Sequence, residues 1–371
     1  MSERDAERPV RGRRSGPFWP RTRTWLRRHW DLAALALLAM APAVVPALGG
    51  ALGGQVTIVF ISCILALGLN VMVGSTGLVH LGIAAFFGIG AFCHAILTVP
   101  TEPFRWSFLP AAALSVLITA GVGLALGAPT LRLRGDYLAI VTLGFGEVVK
   151  VSLRNLEQIT GGMKGLNPVP PPAAGLRLGG VDLGMQFAVD PRWFYALALG
   201  VLAVVVVALR RLERSRLGRA WMAVREDELA AAATGISASR VKLSAFALSS
   251  ALAGLAGCLY AACLSTTADP NAYDFNRSVM VLCAVILGGL GSIPGTLLGV
   301  ALLVGFDTVL APWADAAIQQ SGINPGGSML LSFSGWRLAL FGFVLVLVMR
   351  LKPAGLMPSR RMAAELREAR A

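Results

Sequence analysis

The chain has 371 residues, of which 56% are hydrophobic and 14% charged, and its formal net charge is +13. Several runs of about 20 apolar residues, the length that crosses a hydrocarbon core, exclude an ordinary soluble domain and point to a polytopic membrane protein. Most of the 33 Lys and Arg fall in four segments that the topology below puts on one side of the membrane, so the basic balance marks orientation and no nucleic-acid partner is expected.

Residues 1–31 hold nine Arg, four acids and no aliphatic run, the composition of a disordered basic cytoplasmic arm. A signal peptide is the competing reading, because Arg27 and Arg28 precede the apolar run Leu32 to Leu48. That run is long for a signal core, and Ala39-Met40-Ala41 is followed by Pro42, so 32–50 reads as a first span. The next run, Gln55 to Val73, ends in Gly68-Leu69-Asn70 and Gly74-Ser75-Thr76-Gly77 before Leu78 to Val99 resumes. Glycines and polar residues between two spans predict a tight, non-helical connection whose backbone groups need partners in protein or water. Phe108 to Leu126 is the fourth span, stopped by Pro129, and Tyr137 to Val151 is the fifth.

Residues 153–192 are rich in Gly and Pro with nearly balanced charge, which suits an external loop. Trp193 to Leu209 then leads into Arg210 to Lys242, a segment with eight basic and four acidic residues between two oily runs. It cannot lie in hydrocarbon, and it is too long for a simple turn, so it reads as a cytoplasmic segment contacted by another protein. Wound as one helix, Arg225, Glu226, Asp227 and Glu228 point all around the axis, without the single apolar face of a membrane-surface helix. Gly235 is its expected C-terminal stop.

Val241 to Leu264 crosses outward, 265–277 is external, and Ser278 to Leu310 is cut at Gly288 to Gly295 into two short spans. Leu338 to Leu351 is the last span, ahead of a cytoplasmic basic tail, 352–371. The expected fold is an all-α polytopic transmembrane helical bundle of about ten spans over 32–351, with both termini cytoplasmic. Eight spans satisfy the same charges if one glycine-broken region is re-entrant.

Asn70 to Gly90 and Gly288 to Gly305 each place a glycine-rich break before a short apolar helix, once in each half. Paired broken segments of this kind point to a transport site near the midplane, with Asn70, Gly74, Gly77, Gly288, Gly289 and Gly291 shaping the path. Helix packing through small residues is the competing explanation. Glu147 and Lys150, three apart on the fifth helix, are expected to neutralise one another as an intramembrane ion pair. Cys63, Cys93, Cys258, Cys263 and Cys283 all lie in apolar runs and read as small core residues. The chain has no GxxxxGK[ST], no HExxH and no GxSxG, so neither ATP binding, a metal, a cofactor nor enzymatic catalysis is expected in this chain.

The runs GLNVMVGSTGLVHLGIAAFFGIGAF (68–92), LRLRGDYLAIVTLGFGEVVK (131–150), TGGMKGL (160–166), SRLGRAWMAVREDELAAAATGI (215–236) and VILGGLGSIPGTLLGVALL (285–303) occur in this order. In these motifs the chain resembles the permease family of bacterial branched-chain amino acid ABC importers, the LivM type more than its LivH sister. The resemblance implies a multi-pass permease domain in the bacterial inner membrane. It also implies the partners: a second, LivH-like permease, two cytoplasmic ABC ATPases that bind the ATP, and an external substrate-binding protein. Leu, Ile and Val are the implied substrates, and permeases for urea or short amides carry similar motifs. The resemblance further implies that Gly218, Arg219, Arg225, Glu226, Asp227, Glu228 and Gly235 lie in the loop that docks on the ATPases. A stand-alone ion-coupled secondary transporter is the other class considered, and the lack of a buried acid or histidine relay weighs against it.

Overall fold

The computed structural model describes residues 50–101, 103–130, 136–172, 177–178, 181–182, 191–267, 270–320, 335–352 and 355–357. The basic arm 1–31, the run 32–49 assigned to a first span, and the tail beyond 357 lie outside the described residues. Helix α1 (Gly50–Asn70) runs on through a π turn, Val71–Ser75. It is followed by α2 (Ile83–Thr98), α3 (Phe108–Thr130), α4 (Asp136–Asn155) and the short α5 (Glu157–Thr160). Next come α6 (Pro191–Glu213), α7 (Arg216–Glu226), α8 (Glu228–Ala233) and α9 (Ala238–Leu264). The chain continues with α10 (Phe275–Gly288), α11 (Ile293–Gly305), a second π turn (Phe306–Leu310), α12 (Ala311–Gln320) and α13 (Arg337–Leu351). A two-residue antiparallel ribbon, Arg177–Leu178 with Val181–Asp182, is the only sheet among the described residues.

Five of these segments are long and apolar enough to cross a membrane: Gly53–Ser75, Phe108–Thr130, Pro191–Glu213, Ala238–Leu264 and Ile293–Ala316. The protein is therefore a multi-pass helical membrane bundle. Helices α2, α10 and the end of α13 are apolar but shorter. At 1.5 Å per residue, the 16 residues of α2 reach roughly 24 Å, less than a hydrocarbon core of about 30 Å.

Hydropathy alone does not say which helix is central, and burial does. The α1 span is 89% buried, whereas the α3 span, almost as apolar, is 28% buried. An evenly apolar helix is at home either in a core or against lipid, and here α1 is the axis while Leu109 and Leu117 of α3 look outward. Helices α6, α9, α10 and α11 all pack on α1, and α9 also packs closely on α2 and α3. The α2–α9 crossing depends on bare backbone: a Cβ on Gly90 would stand 2.4 Å from the Gly254 Cα. All five cysteines are free, and Cys63, Cys258 and Cys283 are buried, as their apolar settings predict.

Two expectations need correcting. The stretch Gly68 to Ser75 is helical: Asn70 has φ −63° and ψ −32°, and the chain leaves helical geometry only after the π turn. Gly68 is there because the Ser249 carbonyl and Leu252 of α9 press on that side, not because the helix breaks. The non-helical connection is 77–82. Likewise Pro129 lies inside α3, which continues to Thr130.

The loop expected to be external is partly ordered by its own backbone bonds. In TGGMKGL, Gly161, Gly162 and Gly165 all have positive φ, and the strand of chain beyond them is pinned to the end of α9. The pins are Val169 N–H to the Ser265 carbonyl (2.9 Å) and Leu166 N–H to Thr267 Oγ1 (2.9 Å).

Candidate functional site

The charged segment folds as two helices rather than one. Asp227 has extended geometry (φ −153°, ψ 116°), and its Oδ1 accepts the Leu229 and Ala230 N–H groups at 2.8 and 3.1 Å. A carboxylate at that place ends α7 and caps α8, which is why a single helix does not form. Gly235, at φ +84°, closes α8 with its N–H on the Ala232 carbonyl (2.9 Å), while Ile236 N–H returns to Ala231 (3.1 Å). Gly218 allows α7 to cross the end of α6, since a Cβ there would be 2.4 Å from the Leu212 carbonyl oxygen.

Contrary to expectation, α7 has an apolar face. Gly218, Trp221 and Val224, at spacing three, are buried against α6 and α9. Trp221 is the anchor: its Nε1–H donates to the Val241 carbonyl (3.1 Å) and Ser244 Oγ (2.9 Å) at the start of α9. Its signal in the sequence is its spacing, a Trp three positions from both Gly218 and Val224 in a charged run, which the surrounding charges obscure. The opposite side stays open. Glu226, Asp227, Glu228, Leu229 and Ala230 are exposed, and Leu229 is 81% exposed. Arg219 Nη1 donates to the Arg214 carbonyl (2.8 Å), and Glu228 pairs with Lys242 at 2.6 Å.

The end of α7 is joined to both glycine regions. Arg225 Nη1 donates to the Gly74 carbonyl in the π turn, where a helix C-terminus leaves carbonyls to be satisfied and favours a cation. Asn70, buried one turn earlier, accepts the Gly291 N–H on its Oδ1 at 2.9 Å. Gly74 and Gly291 touch through their backbones: a Cβ on Gly74 would lie 2.5 Å from Gly291 N and 2.4 Å from Asn70 Oδ1. A Cβ on Gly77 would meet the Arg225 Cγ at 3.2 Å. Asn70, Gly74, Gly77, Gly291 and Arg225 are thus one cluster, at the end of the bundle that carries α7 and α8.

Gly288 and Gly289 belong to the same turn. Gly289 (φ 120°) and Gly291 (φ 71°) form the reversal between α10 and α11, and Ser292 Oγ caps α11 through the Gly295 N–H at 3.2 Å. Gly288 packs on the Gly295 carbonyl. A further segment, not anticipated, closes the cluster: Leu356 and Met357 N–H donate to the Leu287 and Gly288 carbonyls, both at 2.9 Å. The last carbonyls of α10 are satisfied by chain that follows α13.

Glu147 and Lys150 lie elsewhere, on α4, with Nζ and Oε2 3.4 Å apart and side chains 43% and 24% exposed. Glu147 borders a cleft with Leu81, Leu143, Gly146, Asp274 and Phe275, between the start of α2, the middle of α4 and the start of α10. Leu81 N–H donates to Thr142 Oγ1 and Ala84 N–H to Ser278 Oγ, both at 3.1 Å, so the start of α2 is fixed to both neighbours. Tyr273, behind the cleft, is held neutral by burial, which raises its pKa, and its hydroxyl donates to the Thr267 carbonyl. Among the described residues no group of three or more His, Cys, Asp or Glu could hold a metal.

Among the described residues, the charged helix pair is bonded through Arg225 to one glycine region, which Asn70 joins to the other, an arrangement that suits a membrane permease. The family described as branched-chain amino acid transport system / permease component matches residues 51–349, and the chain belongs to that family. It is 37% identical to the high-affinity branched-chain amino acid transport system permease protein LivM of Salmonella typhimurium, covering 92% of this chain and 77% of that protein. The LivM protein of Escherichia coli is 38% identical, with 91% and 76% covered. Escherichia coli LivH is 33% identical over a shorter stretch, 30% of this chain and 34% of LivH. No solved structure matches the chain.

Proposed function

We propose that this chain is the LivM-type permease subunit of an ATP-driven importer of branched-chain amino acids, and that α7 and α8 transmit ATPase closure to the membrane through Arg225. The observation that carries this reading is the pair of bonds linking Arg225 to Gly74 and Asn70 to Gly291. A push on α7 and α8 reaches α1 and the α10–α11 turn with no flexible linker between. The exposed side of the pair, with Leu229 among Glu226, Asp227 and Glu228, has the form of a segment seated in a groove of another protein. Its partners in this reading are two cytoplasmic ATPases, a second permease of the LivH type and an external binding protein. Family membership and the similarity to LivM support leucine, isoleucine and valine as substrates.

In this reading the chain crosses the inner membrane ten times with both termini cytoplasmic, because the loop charges then obey the positive-inside rule. The Asn70, Gly74, Gly77, Gly288, Gly289 and Gly291 cluster forms the cytoplasmic end of the translocation path. The test is reconstitution of the complex with the Glu226→Lys, Glu228→Lys double variant, and with 219–233 replaced by a flexible linker. Loss of ATPase binding, or binding without substrate-stimulated hydrolysis and uptake, is expected. Full binding and uptake in both variants would make a stand-alone transporter the better account.

A further inference from the structure

We infer that the corner where α6 turns into α7 binds the phosphate headgroup of an anionic phospholipid through Arg211, Arg214 and Arg216. The segment 210–219 carries five Arg and a single acid, Glu213. Glu213 faces Arg210 first, and a guanidinium nitrogen of Arg210 is shut off from solvent, so that pair is turned inward. Arg211, Arg214 and Arg216 are exposed, and none of them pairs with an acid among the described residues. Like charges crowded in this way repel one another and raise the local concentration of an anion.

Depth places these groups at a headgroup. The α6 span, Pro191–Glu213, has 23 residues. At 1.5 Å each they reach roughly 34 Å, against a hydrocarbon core of about 30 Å. Trp193 is exposed at one boundary, where aromatic rings sit at a membrane interface, and Arg211 lies roughly 27 Å further along the helix. The same face decides the kind of ligand. Gly200, Val204, Val207 and Ala208 are exposed at helical spacing, and Arg211 continues their row. A phospholipid whose chains lie along this row has its phosphate at Arg211, whereas a soluble phosphate makes no use of the row.

The corner is also fixed. Ser215 N–H and Oγ–H both donate to the Leu212 carbonyl, at 3.0 and 2.6 Å, and Ser215 Oγ accepts the Gly218 N–H at 3.3 Å. Arg219 Nη1 holds the Arg214 carbonyl from the next turn. Guanidinium groups carried on a set backbone take phosphate oxygens in pairs, and basic clusters directly beyond a span hold anionic headgroups. The exposed acids Glu226, Asp227 and Glu228 lie at the other end of α7, roughly 15 Å away, so lipid and ATPase have separate contacts. In the orientation proposed above the leaflet is the cytoplasmic one; the site itself requires only the α6 span.

The experiment delipidates the assembled complex in detergent, offers it phosphatidylglycerol and phosphatidylcholine with the same acyl chains in equal amounts, and measures retained lipid by mass spectrometry. Wild type should retain the anionic lipid at least fivefold over the zwitterionic one. The triple variant Arg211→Gln, Arg214→Gln, Arg216→Gln should lose that preference. Equal charge removed elsewhere, by Arg240→Gln, Arg350→Gln, Lys352→Gln, should leave it intact. If the first variant fails to insert, the triple exchange of the same arginines to Lys keeps the charge without the paired geometry and should lower the preference at least twofold. No preference in wild type, a preference unchanged in the Gln and Lys variants, or equal loss in the control would overturn the site. Displacement of phosphatidylglycerol by glycerol phosphate at equal concentration would overturn the assignment to a lipid, and loss of the ATPases with lipid preference intact would give the corner to the ATPases instead.

Discussion

The end of α1 and the turn between α10 and α11 reach the same arginine by different means. In the first, helix persists through Gly74 as a π turn, and the glycine is needed because Gly291 and Asn70 occupy the space a side chain would take. In the second, Gly289 and Gly291 have positive φ and the chain truly reverses. One glycine makes room and the others make a conformation. A π turn is a local misfit in a helix and recurs at functional positions, whereas the reversal is closed by the Ser292 cap on α11. The α1 end therefore meets the arginine as buried helix and the α10–α11 turn lies beside it as a capped reversal.

The largest effect should come from breaking the contact itself. Gly74→Val puts a branched side chain where a Cβ alone would already sit 2.4 Å from Asn70 Oδ1, and uptake in vesicles should fall to background while membrane insertion persists. Normal uptake by a well-inserted Gly74→Val protein would show the approach of the two regions to be incidental. Leu229→Asp comes next: it changes the most exposed apolar residue of the helix pair, and co-purification of the ATPases should drop at least tenfold with the permease fold intact.

A smaller effect is expected from the bond between the two regions. Asn70→Ala removes the acceptor of the part-buried Gly291 N–H, a loss of about 1 kcal/mol. Asn70→Asp keeps an acceptor oxygen and should restore part of the thermal stability in detergent; equal loss in both variants would remove the hydrogen bond from the account. The smallest change is expected for Glu228→Gln. Its ion pair with Lys242 involves a half-exposed carboxylate, so stability should shift by no more than about 1 kcal/mol. A larger shift in the isolated permease would mean that α8 is held by more than Asp227 and Gly235.

The long apolar runs and the charged segment were legible in the sequence because hydrocarbon admits one and refuses the other. The split at Asp227 was less so. It turns on one carboxylate preferring two N–H groups to a place in a continuous helix, a choice that composition does not record. The burial of Trp221 was readable in its spacing with Gly218 and Val224 but was outweighed by the surrounding charges. Least accessible was the meeting of Asn70 with Gly291, 221 positions apart, since each glycine run carries its own pattern and neither names its partner. The resemblance of the two runs suggested equivalent roles, but neither run names the bonds that join them, Arg225 to Gly74 and Gly291 to Asn70.

The most direct test of that junction is the ratio of leucine transported to ATP hydrolysed by the reconstituted complex carrying Arg225→Ala. Arg225 supplies the bond from α7 to the Gly74 carbonyl, and Trp221 keeps α7 seated on α9 without it. The ATPases should therefore still bind and turn over while the transport ratio falls at least tenfold. An unchanged ratio would contradict the claim that closure reaches the membrane through this arginine.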